Sequence, residues 1–156
     1  MTGFGWRSRR RRAQALLWFT VAVPLFVAIA GLAIDGGILL SSRRQLQSVA
    51  DGAARAGATR LDTARLRSSG GADVQLDTSV ATRTARTYID SALSDASAGW
   101  SGPPDASVES GPRRVHVWIR ATLQTAFLRL VHIDSVPVEA SAFADVEFGI
   151  RDGGGG

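Results

Sequence analysis

Between Ala13 and Ile34 the chain runs for 22 residues without a charged side chain, AQALLWFTVAVPLFVAIAGLAI. As a helix rising about 1.5 Å per residue, this run covers roughly 33 Å, enough to cross the hydrocarbon core of a bilayer. A buried helix of a soluble domain rarely needs so long an uncharged run. The pattern predicts a membrane-inserted helix over 13–40. Arg7, Arg9, Arg10, Arg11 and Arg12 precede the run, against Arg43 and Arg44 beyond Leu40. Because basic residues are held on the cytoplasmic side, Arg9, Arg10, Arg11 and Arg12 predict a cytoplasmic N-terminus, with everything from about Ser41 onward outside.

A second reading of the same residues stays open. Arg-rich residues followed by an apolar stretch also describe a secretory signal, and Ala28-Ile29-Ala30 has the small-x-small form of a cleavage site. Cleavage after Ala30 would release a secreted binding module. The run is longer than the usual ~7 to 15 residue apolar region of a signal, and apolar residues resume past the site at Leu32, Ile34, Ile38 and Leu39. Pro24 withholds its N–H from the Thr20 carbonyl and predicts a local loosening of the helix. Asp35 places a carboxylate at the outer end of the span, where it either marks the interface with water or meets a donor from a neighbouring chain. Gly36-Gly37 beside it is only a weak break in the helix.

The segment RRQLQSVADGAARAGATRLDTARL keeps a helical period, with Leu46, Ala50, Ala53, Gly57, Leu61 and Ala64 at steps of three or four. It predicts an amphipathic extension of the same helix over 41–67. Ala50, Ala54 and Ala58, and separately Ala53 and Gly57, form small-xxx-small rows that admit another backbone closely. This face packs either on a partner helix or on the chain's own domain. Ser68 to Gly71 reads as a loop, and a second helix is expected from about Thr78 to Ser94.

From Arg114 the period changes to two. Val115, Val117, Ile119, Ala121 and Leu123 fall on one side of a strand, with His116, Trp118 and Arg120 on the other. Ala106 and Val108 before Gly111-Pro112 suggest a shorter strand turning into it. Val136 to Phe148 alternates again, its small alanines allowing a helix to lie close. Between these strands AFLRLVHID is expected to form a short helix or turn that inserts Phe127, Leu130 and Ile133. Trp118 and Phe143 are large aromatics on otherwise polar faces, which marks a contact surface unless the chain covers them itself. The result is an α+β fold. A long N-terminal transmembrane helix continues as an amphipathic one into a small helix-plus-antiparallel-sheet domain at 68–149, with a Gly-rich tail at 150–156.

Composition narrows the chemistry. The 156 residues include no cysteine, so disulfide staples, thiolate nucleophiles and Cys-type zinc sites are excluded. The net charge of +4 is a property of the tail: the Arg residues before Ala13 outweigh it, and the rest of the chain is slightly acidic. That distribution does not describe a nucleic-acid-binding surface. His116 and His132 are the only histidines, and neither stands in a metal or triad spacing. No phosphate-cradling glycine motif is present, so no cofactor or small-molecule substrate is expected.

The order of features from Gln14 to Leu61 resembles the N-terminal region of TadE/TadG-like Flp pilus assembly proteins of bacterial tight-adherence systems. An Arg-rich start and an apolar helix with Pro24 lead into Gly31-Leu32-Ala33-Ile34-Asp35-Gly36-Gly37. Arg43-Arg44-Gln45-Leu46-Gln47-Ser48-Val49-Ala50-Asp51-Gly52-Ala53-Ala54-Arg55-Ala56-Gly57-Ala58 follows. Thr125 to Leu130 and Val138 to Ala142 are similar to the C-terminal part of short members. The resemblance implies a single-pass, pilin-like, non-enzymatic component whose partners are the bilayer and other pilin-like or Tad assembly proteins. Pilin relatives carry Glu five residues beyond a Gly or Ala cleavage site, and with Ala13 as the cut that position is Trp18. This favours the TadG-like branch, which stays in the membrane. The expected partner interface is Asp35, Gly36, Leu46, Ala50, Ala53, Ala54, Gly57, Ala58, Trp118 and Phe143.

Overall fold

The computed structural model describes residues 6–94 and 99–146. The chain divides into two compact units, one of Met1–Ile38 and Thr125–Asp134, the other of Leu39–Gln124 and Ser135–Gly156. Helix α1, Trp6–Ala58, contributes to both. The Gly-rich tail expected at 150–156, Glu147, Phe148 and the first five residues lie outside the described residues. Arg9, Arg10, Arg11 and Arg12 belong to the helical backbone, and their side chains lie outside as well.

In the first unit α1 continues through Pro24 without a break. Just before the proline, the Thr20 hydroxyl donates to the Leu16 carbonyl at 2.8 Å. Leu16, Trp18, Phe19, Phe26, Val27 and Leu32 are all exposed, so apolar side chains point outward around the helix rather than along one stripe. This is one helix long and apolar enough to cross a membrane by length and composition. The unit is completed by a 3-10 turn at Leu128–Val131, between Thr125 and Asp134.

The second unit is a three-stranded antiparallel sheet with helices on one face. The strands are β1 (Asp105–Ser110), β2 (Arg114–Gln124) and β3 (Ser135–Asp145), in the order β1-β2-β3. Val115, Val117, Ile119, Ala121 and Leu123 are buried on β2, as the alternation predicts, and Val138, Ala140 and Ala142 join them from β3. The 39–58 portion of α1 and helix α3 (Thr78–Ser94) close over this face, α3 through Ala81, Ala85 and Ile89. Side-chain size sets the fit. Ala50, Ala53 and Ala54 of α1 share the core with Ala140 and Ala142, and the Gln47 Nε2 donates to the Ser141 carbonyl at 2.9 Å. At Gly57 a Cβ would stand 3.2 Å from the Ala81 carbonyl oxygen and 3.2 Å from Val115 Cγ1, so the absence of a side chain is what allows the approach.

The helix expected to extend through residue 67 ends at Ala58. Leu61 makes an extended bridge to Leu76, and the Asp62 N–H donates to the Gln75 carbonyl at 2.8 Å. Asp62 then caps a separate short helix α2, Thr63–Ser68, accepting from the Arg65 N–H. Two pairings across sequence thus outcompete a helical period that itself continues. Trp100 bridges Leu123 and packs against the core.

Candidate functional site

Asp35 lies in the first unit on the same side of α1 as Gly31, one turn earlier. It is 2% exposed. Its carboxylate accepts three successive backbone N–H groups: Ala126 on Oδ1 at 2.9 Å, and Phe127 and Leu128 on Oδ2 at 2.9 Å and 2.6 Å. These N–H groups open the 3-10 turn, whose N-cap residue Phe127 has no side-chain cap of its own. The first donors of any helical turn lack internal partners, and convergent N–H groups form a concavity suited to an anion. Asp35 fills that role from 91 to 93 residues away.

Gly31 makes the approach possible. A Cβ there would fall 2.7 Å from both Cβ and Cγ of Phe127, a collision with atoms that cannot swing aside. Thr125 closes the base of the turn, its N–H donating to the Asp134 carbonyl at 3.0 Å and its hydroxyl to the Ile133 carbonyl. His132 ends the turn in the left-handed conformation, φ 65°.

The partners found for Asp35 are intramolecular, and the residues that supply them, with Gly31, were not among the expected site residues. Phe127, Leu130 and Ile133 were expected to insert into the fold, yet all three are exposed. In sequence the only trace of the arrangement is a glycine one turn before a lone carboxylate.

The small-residue face expected to meet a partner is covered within the chain. Leu46, Ala50, Ala53 and Ala54 have no exposed area, and Gly57 is buried. The surface they meet is the chain's own sheet and α3, for the steric reason already given at Gly57. Ala58 is half-buried beside Phe143, and Gly36 is partly exposed with open space around it.

In the second unit the outer face of the sheet carries an aromatic cluster. His116 and Trp118, two apart on β2, have ring centroids 3.6 Å apart, and His116 meets Phe143 of β3 edge-on at 6.3 Å. Arg114 lies over the Phe143 ring at 4.8 Å while pairing with Asp145 at 2.6 Å and 3.0 Å. The Arg114 guanidinium holds the Asp145 carboxyl below the usual carboxylate range, and Asp145 in turn raises Arg114. Arg120 and Glu139 form a second ion pair at 2.6 Å. Phe143 is 61% exposed, so the cluster is a partly solvated apolar surface framed by charge pairs. Among the described residues no group of three His, Cys, Asp or Glu side chains is placed to hold a metal ion.

Residues 13–60 match the model of the Flp pilus-assembly TadE/G-like family. The matched stretch contains the apolar part of α1, Gly31, Asp35 and the small-residue face. No curated protein and no solved structure matches the chain.

Proposed function

We propose that the chain is a membrane-anchored, non-enzymatic component of Flp/Tad-type pilus assembly or a related secretion apparatus. The observation that carries this reading is the match of residues 13–60 to a pilus-assembly family, laid over a helix apolar enough to span a bilayer. Residues 1–12 stay in the cytoplasm, 13–40 cross the membrane, and the domain at 68–149 lies outside. The bilayer and other pilin-like or Tad assembly proteins are the partners.

Helix packing with those partners uses surfaces the chain leaves open. One is the apolar wall of α1 between Leu16 and Ile34, whose large side chains are exposed. The other is the Trp118–Phe143 face, whose aromatic centre and charged frame have the composition of an interface core and rim. A photo-crosslinker at Phe143, and another at Ile29, in cells that make the protein should capture pilin-like chains. Alkaline carbonate washing should leave the full-length polypeptide with the membranes, and its intact mass should retain Met1 or begin at Thr2. A soluble product beginning at Gly31 would replace this reading with the secreted module.

A further inference from the structure

We infer that residues 125–134 form a second membrane-inserted element, a capped turn lying in the hydrocarbon beside the outer half of the α1 span, with Phe127 and Leu130 against acyl chains. The inference rests on the anchored reading of α1.

Position is the first argument. Phe127 and Leu130 line an apolar groove together with Val23, Pro24, Val27 and Leu32 of α1. From Val23 to Leu32 the helix advances roughly 14 Å, close to half of the ~30 Å hydrocarbon thickness. The medium that surrounds this stretch of helix also surrounds the turn packed on it. The second argument is exposure: Leu130 is 73% exposed, and Phe127 and Ile133 also present much of their side chains outward. Lipid chains cover the apolar surface that the described residues of the unit leave open on these three.

Backbone accounting is the third and strongest argument. Irregular backbone is tolerated at membrane depth only where its polar groups are satisfied inside the protein. Here Asp35 takes the N–H groups of Ala126, Phe127 and Leu128. The Leu130 N–H donates to the Phe127 carbonyl, His132 to Arg129, and Ile133 to Leu128. Thr125 and Asp134 close the base, and the Thr125 hydroxyl is spent on Ile133. Seven N–H groups of the turn thus find partners inside the protein, a provision that an aqueous loop, served by water, does not need. Arg129 is exposed on the turn and long enough to carry its guanidinium to the phosphate level while its stem stays among the chains.

The absence of cysteine makes the test direct. Full-length protein carrying Val27→Cys, Leu130→Cys, Ile133→Cys or Phe143→Cys is spin-labelled and reconstituted in phosphatidylethanolamine–phosphatidylglycerol vesicles. Collisions with oxygen, which concentrates in hydrocarbon, are then compared with collisions with a water-soluble nickel chelate. The oxygen-to-nickel ratio is expected to be several-fold higher at 130 than at 143 and to resemble that at 27. All four sites are exposed, so the labels leave packing intact, and position 133 gives an independent reading of the same turn. Lipid-like values at 27 with water-like values at 130 and 133 would overturn the inference and leave the anchor standing. Water-like values at 27 would overturn the anchor and the inference together.

Discussion

Replacing Ala53 by Leu separates an intramolecular use of the small-residue face from an intermolecular one. Ala53 has no exposed area and belongs to the core shared by α1, α3 and the sheet. Leucine adds three carbons, and overfilling a close-packed interior costs about 1–3 kcal/mol. In a unit of about 100 residues each kcal/mol moves the midpoint by ~4–8 °C, so Tm should fall by roughly 4–24 °C. Arg55, exposed on the same helix, supplies the control: Arg55→Leu should leave Tm within a few degrees. The assay is thermal unfolding of the detergent-solubilised full-length protein, followed by circular dichroism and by fluorescence of Trp100 and Trp118. An unchanged Tm for Ala53→Leu, combined with loss of co-purifying partners, would refute the intramolecular packing and return the face to a neighbouring chain.

Three further outcomes follow from the geometry. Gly31→Leu or Asp35→Ala should release the turn from α1, so that trypsin cuts after Arg129 faster than in the parent in detergent; equal appearance of the fragment ending at Arg129 would count against the docking. Asp77 caps α3, held below its ordinary value of 3.8 by the Ser79 hydroxyl and the Val80 N–H, and Asp145 is held down by Arg114. A carboxyl with a lowered folded pKa stabilises fully above its unfolded value and loses that contribution as pH falls through the folded one. Stability should therefore drop below about pH 4, and Asp77→Asn with Asp145→Asn should flatten that acid limb; an unchanged limb in the double variant would exclude both groups as its source. Finally, Trp118→Ala with Phe143→Ala should reduce partner capture while moving Tm little, and undiminished capture would exclude the outer sheet face as a contact surface.

The parts of the fold that read well are those whose evidence is local. On β2 every second residue is apolar, and burial alternates with it; α3 shows its Ala81–Ala85–Ile89 stripe at helical spacing. The end of α1 did not read, because Leu61 and Ala64 keep the helical period while the deciding contact is Leu61 with Leu76. The small-residue rows announced a close approach correctly in kind, since Gly57 and the alanines do admit another backbone. Spacing does not say whose backbone arrives, and here it is the chain's own. The Asp35 site was hidden for the same reason at greater range: a carboxylate at a helix end has many uses, and its donors on Ala126, Phe127 and Leu128 are backbone groups that leave no mark in side-chain identity. The aromatic face lay between these cases. Trp118 and Phe143 stood out as large residues in polar rows, whereas the stacking through His116 needed the register of β2 against β3.

The bond between Asp35 and Ala126 sets an order of events during synthesis. At ~5–20 residues per second, the 91 positions between them take roughly 5–18 s to translate. Throughout that interval the carboxylate has been made while its three donors have not, so water must satisfy it in their place. With α1 spanning the bilayer as proposed, the span comes to rest with Asp35 at the wet boundary, and the charge withdraws from water only when the later turn is delivered to it. The helix is thus placed first, and the turn locks onto it second.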